Sequence, residues 1–243
     1  MGYGQFIKRT AGGGFVVTNS LLFDGSTKYL SRNSTNNSTV WEFSAWIKRV
    51  SVGSNQVLFS YPDSGGTTDT YVGFNGTDKI WIYSNGNSTL SSSSFSSTTQ
   101  WMHIFATRDL SGNLNVWVNR TLAATMSGTA LSVPIGVTFY LGRRAFSSSM
   151  FFNGYMSEVF VLQQYPVPTY DLTTSAGGTY GVLPIAYTPP SSSGDTSYLN
   201  FKDNSSVTTS SNVGIGKTTG GDASAYWPTF NFVTSDVKTV VPP

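Results

Sequence analysis

The sequence of 243 residues contains no cysteine and a single histidine, His103. Without cysteine the chain can form no disulfide, no thiolate metal site and no cysteine nucleophile. Extracellular domains that are made through a secretory route commonly contain disulfides. Their absence here favours synthesis and folding in a reducing cytosol.

Charged residues are also scarce, at 11% of the chain, and the 14 basic and 12 acidic residues nearly balance. Nucleic-acid binding normally needs a concentrated basic surface, and no basic run in this sequence exceeds two residues. No segment approaches the length of a membrane-spanning helix. We therefore expect neither a nucleic-acid partner nor membrane insertion.

Aromatic residues make up 14% of the chain, and serine, threonine, asparagine and glycine supply much of the remainder. This composition is typical of strands and turns and poor in helix formers. Eight of the ten prolines lie beyond residue 160. Because proline cannot donate to a central β-ladder, we expect that region to be irregular or to lie at sheet edges.

The stretch 101–126 predicts an antiparallel meander of three strands. Gly112 and Asn113 close a turn cluster, because both tolerate positive φ. Alternating apolar residues then predict a half-buried strand over 114–118. Asn119 and Arg120 form a two-residue connection, and a type I′ turn there would require Arg120 at positive φ.

Similar alternation predicts the other main strands and their core faces. On 41–48 the expected core side chains are Trp41, Phe43, Ala45 and Ile47, with the intervening residues facing outward. A hairpin is expected around Asn75 and Gly76. In its second strand, Ile80 and Ile82 point inward. The serine-rich stretch 91–99 is expected to be a loop.

These patterns resemble the laminin-G-like domain of the concanavalin A-like lectin/glucanase group. The resemblance rests on the meander together with SLLFDGSTKYL at 20–30, WEFSAWIKR at 41–49, and FYLGRR with FFNGYMSEVFVL between 139 and 162. It covers about 60% of the chain, and its specificity lies in the order and spacing of the pieces. The resemblance implies an all-β fold, a two-sheet antiparallel jelly-roll sandwich.

We divide the chain into three parts on this basis. Residues 1–18 form an N-terminal arm with a Gly12-Gly13-Gly14 hinge, and no apolar signal-peptide core follows Lys8 and Arg9. Residues 19–162 form the sandwich. Residues 163–243 form a Pro/Gly/Ser-rich C-terminal extension that is expected to pack on the sandwich or on a neighbouring subunit.

Catalysis is not expected, although the resembled group includes glucanases. Glycoside hydrolysis normally uses two carboxylates that flank the scissile bond, and the group's hydrolases resemble one another in a Glu-x-Asp-x-Glu run. This chain has only two glutamates, Glu42 and Glu158, and neither has an aspartate two residues away. His103 is expected to be a hydrogen-bonded structural histidine.

Calcium is the one cofactor to consider, because laminin-G-like domains often bind it at the rim of the sandwich through loop oxygens. The candidate ligands are Asp63, Asp69, Asn75 and Asp78. They follow no fixed spacing that would identify a calcium loop. Solvated loop residues are the favoured interpretation.

Aromatic side chains supply the best candidate for ligand binding. If the apolar residues of two strands face the core, then Trp81, Tyr83 and Trp117 face outward, and they could share one sheet. A flat ring can stack against the C–H face of a sugar. The competing interpretation, which we favour, is that the C-terminal extension or another subunit covers these rings.

The sequence therefore predicts a binding or structural protein. A cytosolic origin without a signal peptide is typical of virus-particle components, and the trailing FKDNSSVTTS and YWPTFNF resemble viral members of the group. We expect a bacteriophage virion protein, made in the host cytoplasm, in which the arm and the extension contact other virion proteins. A homo-oligomer, preferably a trimer, and a host-surface glycan are the other expected partners. The alternative is a carbohydrate-binding module of a cellular surface protein.

Overall fold

The structure is a computed structural model that describes residues 19–34, 37–128, 130–163, 195–199, 229–230, 232 and 234–242. The predicted N-terminal arm lies outside these residues. Among the described residues no helix has the length and apolar character needed to cross a membrane. The one helical element they contain is a 3-10 turn at Thr234–Asp236.

The strands in chain order are β1 Ser20–Asp24, β2 Tyr29–Asn33, β3 Trp41–Arg49, β4 Gln56–Pro62, β5 Asp69–Phe74, β6 Lys79–Ser84, β7 Asn87–Ser94, β8 Met102–Arg108, β9 Leu114–Val118, β10 Thr121–Met126, β11 Thr138–Leu141, β12 Asn153–Gln163, β13 Asp195–Leu199, β14 Thr229–Phe230 and β15 Val237–Lys238.

The strands form two antiparallel sheets, which confirms the predicted sandwich. An eight-stranded sheet has the order β10-β9-β8-β3-β12-β1-β15, with β13 pairing with β12 beyond the end of β1. A seven-stranded sheet has the order β14-β2-β11-β4-β5-β6-β7. The inner faces of the two sheets enclose a single apolar core, to which both the predicted apolar set on β3 and the isoleucines of β6 contribute.

Residues 91–94 of the serine-rich stretch belong to the edge strand β7, so the prediction of a loop is wrong for this part, whereas residues 95–99 lie outside the strands. The backbone of β7 pairs with β6 from Asn87 to Ser94. Backbone hydrogen bonding needs no apolar side chain, so a run of serines can complete a sheet edge. Its side chains are mostly exposed, as expected for an edge.

The connection between β9 and β10 has the geometry of the tight hairpin turn. Asn119 has φ 49° and Arg120 has φ 70°, so both central residues occupy the left-handed region that a type I′ turn requires. The Asn119 side-chain oxygen also accepts the backbone N–H of His103 at 2.8 Å. That hydrogen bond fixes the turn against β8.

Parts of the chain beyond residue 163 belong to both sheets. β13 and β15 extend the eight-stranded sheet, and β14 pairs with β2 in the other sheet. Leu199 and Phe232 are buried in the core at 1% and 4% exposure. The C-terminal region thus contributes strands and core residues to the sandwich itself.

Candidate functional site

Aromatic side chains cover the outer face of the seven-stranded sheet. The register places Tyr140 of β11, Ser60 of β4, Tyr71 of β5 and Tyr83 of β6 in one row across the sheet. These residues point outward because the neighbouring positions on their strands fill the core. We call the following set the aromatic face: Tyr29, Tyr71, Trp81, Tyr83 and Tyr140.

The rings on β5 and β6 form a close cluster. Tyr71 and Tyr83 stack nearly parallel, with centroids 4.9 Å apart and an interplanar angle of 11°. Trp81 meets Tyr71 edge to face at 5.0 Å. Tyr71 is buried beneath its neighbours, which raises its pKa through desolvation, whereas Trp81 and Tyr83 are half-buried.

The loop between β11 and β12 crosses the outer face above β4. Gly142 begins this crossing with φ 85°, and a Cβ at that position would collide with the Phe23 ring. The hydroxyl of Ser60 donates to the Arg143 carbonyl at 2.8 Å, which holds the loop on the sheet. The loop therefore divides the aromatic face into two halves.

Consecutive arginines in this loop extend to opposite sides of it. The Arg143 guanidinium lies 4.4 Å from the Tyr29 ring centroid and 4.2 Å from that of Tyr140. The Arg144 guanidinium lies 5.3 Å from Tyr71 and 5.4 Å from Tyr83. Each arginine thus contacts two tyrosines through cation–π interactions.

Arg144 is held in place by a buried carboxylate. Asp69 is fully buried and accepts hydrogen bonds from Arg144 Nε at 2.8 Å, from Arg144 Nη2 at 3.1 Å and from the backbone N–H of Phe146 at 3.1 Å. Such a paired hydrogen bond fixes the guanidinium plane. The hydrogen bonding with Asp69 also raises the pKa of Arg144.

The three aromatic residues predicted to bind ligand do not share a sheet. Trp81 and Tyr83 lie on the aromatic face. Trp117 lies on the outer face of the eight-stranded sheet, where its ring contacts Phe105 at 5.5 Å. The suggestion of a shared sheet is wrong because β6 pairs with β5 and β7, whereas β9 pairs with β8 and β10.

The four candidate calcium ligands form two separate pairs. Asp63 and Asp69 lie near the start of β5, and Asn75 and Asp78 lie just beyond its end. Because β5 has six residues, its ends are ~16 Å apart at about 3.3 Å per residue. The four residues therefore cannot bind one ion.

Their oxygens already accept hydrogen bonds from the protein. Asp63 caps its own turn, where the Thr68 backbone N–H in particular lowers its pKa. Asn75 accepts the backbone N–H groups of Thr77 and Lys79. Asp78 pairs with Arg49 at 2.9 Å. Within the described part of the chain no three His, Cys, Asp or Glu side chains form a metal-binding group.

The outward-facing side chains on the central strand β3 of the eight-stranded sheet are buried. On β3, the outward residues Glu42, Ser44 and Trp46 are buried as fully as the core residues between them. Part of the reason is lateral packing between central strands, since the Trp46 ring contacts His103 of β8 at 5.4 Å. Ser44 Oγ and His103 Nε2 share a hydrogen bond of 2.8 Å.

Two buried ionisable groups on this outer face have shifted pKa values. Burial raises the pKa of Glu42 to about 8 and lowers the pKa of His103 to about 3. Both shifts disfavour the charged form, as desolvation requires. His103 is therefore a neutral, buried, hydrogen-bonded histidine.

The two-sheet antiparallel sandwich places the chain in the concanavalin A-like class of folds. The Laminin G 3 family model, described as the concanavalin A-like lectin/glucanases superfamily, matches residues 24–165, more than half of the chain. The chain therefore belongs to this superfamily. A search of curated proteins found no match.

Solved structures share the fold at low sequence identity. A candidate carbohydrate-binding protein from Bacteroides ovatus aligns with a TM-score of 0.61 and 19% identity, over 93% of this chain and 61% of that protein. A heptameric SAP-like pentraxin from Limulus polyphemus gives 0.47 and 15%, over 60% and 76% of the two chains. Domain 4 of the Geobacillus stearothermophilus arabinanase AbnA gives 0.46 and 15%, over 58% and 69%.

The sequence did not point to the two arginines or to three of the four tyrosines on the aromatic face. A signal for the arginines was present, since Gly142 is followed by Arg143 and Arg144 at the end of a strand whose Tyr140 points outward. Cation–π stacking by these side chains depends on the path of the following loop. That path is set by Ser60, which is distant in sequence.

Proposed function

We propose that this protein is a non-catalytic lectin that binds an oligosaccharide on the aromatic face, with Trp81 and Tyr83 as the stacking residues. The observation that carries the proposal is the pair of half-buried rings beside a fixed guanidinium. Flat ring faces stack on the C–H faces of sugars, and nearby donors can bind their hydroxyls. The fold shared with the Bacteroides ovatus candidate carbohydrate-binding protein is consistent with this proposal.

A non-catalytic role is supported by the state of the two glutamates. Glu42 and Glu158 are 2% and 6% exposed, so neither carboxylate is open to a bound sugar. A glycosidase needs its carboxylates on either side of the bond that is cleaved. Asp69, the carboxylate beside the Tyr71 ring, is occupied by its ion pair with Arg144.

The stacking proposal is tested by measuring binding of the full chain to a glycan array and then to its best ligands by calorimetry. Trp81→Ala and Tyr83→Ala should each weaken binding at least tenfold, because each removes a ring face. Trp117→Ala is the matched control on the opposite sheet and should leave affinity unchanged. If Trp117→Ala alone abolishes binding, the site lies on the eight-stranded sheet instead.

The biological setting that we propose is a virus particle, in which the chain is a bacteriophage fibre, tail or capsid-decoration subunit. Support comes from the absence of cysteine and from the trailing Asp-Asn-Ser-Ser and Trp-Pro segments that resemble viral members of the group. Proteomic analysis of purified particles should contain this chain in stoichiometric amounts. Its absence from intact particles would exclude the virion role.

A homotrimer is the assembly that we propose for such a subunit, with the arm and the C-terminal region contacting other virion proteins. Light scattering on the purified full chain should give three times the monomer mass of 26.2 kDa. The alternative function is a carbohydrate-binding module of a cellular surface protein, which the fold shared with the Bacteroides ovatus protein favours. Neighbouring genes for capsid and tail proteins would support the virion role over this alternative.

A further inference from the structure

The two arginines of the aromatic face differ in their electrostatic partners. Among the described residues the ion pairs join Lys28 to Asp236, Arg49 to Asp78 and Arg144 to Asp69. Arg143 belongs to none of these pairs, so no described carboxylate lies within ion-pair distance of it. The Arg144 half of the face is therefore locally neutral, whereas the Arg143 half carries a cation that has no counter-charge among the described residues.

Arg143 is also buried, with only 8% of its surface exposed. Its guanidinium contacts the Tyr29 and Tyr140 rings, and Nη1 donates to the Ser148 hydroxyl at 2.6 Å. Its Nε is buried and has no hydrogen-bond partner. A buried charge normally requires an opposite charge or a complete set of hydrogen bonds, and the two rings supply neither.

The Nη1 end of the Arg143 guanidinium, rather than the buried Nε, is the part that an anion in solvent can approach. Ser148 is exposed, so the edge of the guanidinium that it contacts lies close to the protein surface. A guanidinium presents several N–H groups in one plane and binds the oxygens of carboxylates and oxyanions in paired fashion. Ser148 can supply a further hydroxyl to the same group.

The position of Arg143 links this anion to the proposed saccharide site. Tyr140 and Tyr83 occupy the same row, separated by β4 and β5. Three strand spacings of about 4.8 Å give a separation of ~14 Å. One oligosaccharide that passes over the β11–β12 loop is long enough to stack on Trp81 and Tyr83 in one half of the face and to reach Arg143 in the other half with a charged substituent.

We infer that Arg143, with Tyr29, Tyr140 and Ser148, is a subsite for the carboxylate or sulfate of an acidic oligosaccharide. This inference rests on the proposed function, because it names the class of sugar that the aromatic face selects. The stacking residues bind the sugar rings, and Arg143 supplies the preference for negative charge.

The experiment measures the affinity of the full chain for three probes of equal length: galactotetraose, tetragalacturonate and a sulfated galactotetraose. We expect at least tenfold tighter binding of one or both acidic probes than of the neutral one. The preference should weaken as sodium chloride is raised from 50 to 500 mM, since salt screens the charge interaction. Comparison of the two acidic probes distinguishes carboxylate from sulfate.

The variant Arg143→Met tests the residue itself, because methionine keeps an apolar side chain between the two rings. It should remove the acidic preference and its salt dependence while affinity for galactotetraose changes less than twofold. Arg120→Met is the matched control, since Arg120 is exposed in the turn between β9 and β10 of the other sheet and its loss changes net charge equally. Thermal unfolding of both variants establishes that they are folded.

Equal wild-type affinity for neutral and acidic probes would overturn the inference and leave the stacking proposal intact. The inference is also overturned, and the stacking proposal kept, if folded Arg143→Met binds all three probes more weakly by the same factor. Arg143 would then only maintain the shape of the aromatic face. If neither acidic probe binds, the inference of an anion subsite at Arg143 is overturned. If the glycan array then also gives no Trp81-dependent binding, the proposed function fails separately.

Discussion

Two buried side chains on the outer face of the eight-stranded sheet give the protein opposite responses to pH. Glu42 has its pKa raised from 4.5 to about 8, and His103 has its pKa lowered from 6.5 to about 3. Glu42 stabilises the folded protein fully below pH 4.5, and this contribution is lost as the pH rises towards 8. The His103 contribution is full above pH 6.5 and is lost as the pH falls towards 3.

The free energy of unfolding should therefore be nearly flat between pH 4.5 and pH 6.5, where the two effects cancel. Between pH 6.5 and pH 8 only the Glu42 effect remains, and it should remove about 2 kcal/mol of stability. Glu42→Gln cannot ionise and should lack this decline. Urea unfolding of both proteins at pH 6.5 and 8 measures the difference. An identical decline in the variant would show that Glu42 is not the responsible group.

Neither shift could be predicted from the sequence. Alternation along β3 placed Glu42 on the outward face, and that assignment is correct. The sequence gives no measure of how deeply an outward face is buried, because burial depends on non-local packing. His103 was expected to be structural, and its hydrogen bond to Ser44 is consistent with that role.

Strand β7 shows how a polar sequence completes a sheet edge. A β-bulge shifts its register with β6 between Lys79 and Trp81, and at this point Ile80 faces Ser91. The Ser91 hydroxyl accepts the Ile80 backbone N–H at 3.0 Å and donates to the Ser93 carbonyl at 2.6 Å. The side chain thus replaces a backbone partner that the bulge removes.

Ser91→Ala should therefore lower the free energy of unfolding by about 1–3 kcal/mol, because it leaves a buried N–H without a partner. Ser92→Ala is a matched control on the same strand, and its exposed side chain should change stability by less than about 0.5 kcal/mol. Chemical denaturation of the two variants checks both values. Equal stability of both variants would mean that water replaces the hydroxyl.

Apolar alternation, which predicted the central strands, gave no signal for β7. Strands such as β6 and β9 were predictable because their inward side chains carry the pattern, as Ile80 and Val116 do. An exposed edge strand buries little and so imposes no such pattern on its sequence. β7 is recognised as a strand only through its pairing with β6, and the local sequence carries no pattern that predicts this pairing.

At the scale of the molecule, the C-terminal region is joined to the beginning of the sandwich. β15 pairs with β1 through Ser20 and Lys238, and Lys28 contacts Asp236 at 2.6 Å. These contacts join residues about 200 positions apart. Strands of two residues carry no periodic signal, so the sequence predicts an extension packed on the sandwich or on a neighbour without indicating which strands it pairs with.

Phe232 provides the sharpest test of this arrangement. Its ring meets Phe23 edge to face at 5.2 Å and is 4% exposed. Phe232→Ala should cost about 3–5 kcal/mol, because it leaves a cavity in the core and removes an aromatic pair. Val240→Ala, at a residue that is 38% exposed, should cost less than about 1 kcal/mol.

Urea unfolding of the full chain, monitored by tryptophan fluorescence and by circular dichroism, measures both losses. In the wild type the two probes should follow one transition, because β1, β15 and Phe232 share the core. If Phe232→Ala unfolds in one transition at lower urea, the C-terminal region and the sandwich form one cooperative unit. If the variant is as stable as the control, the region is an appendage, and the sandwich does not need it to fold.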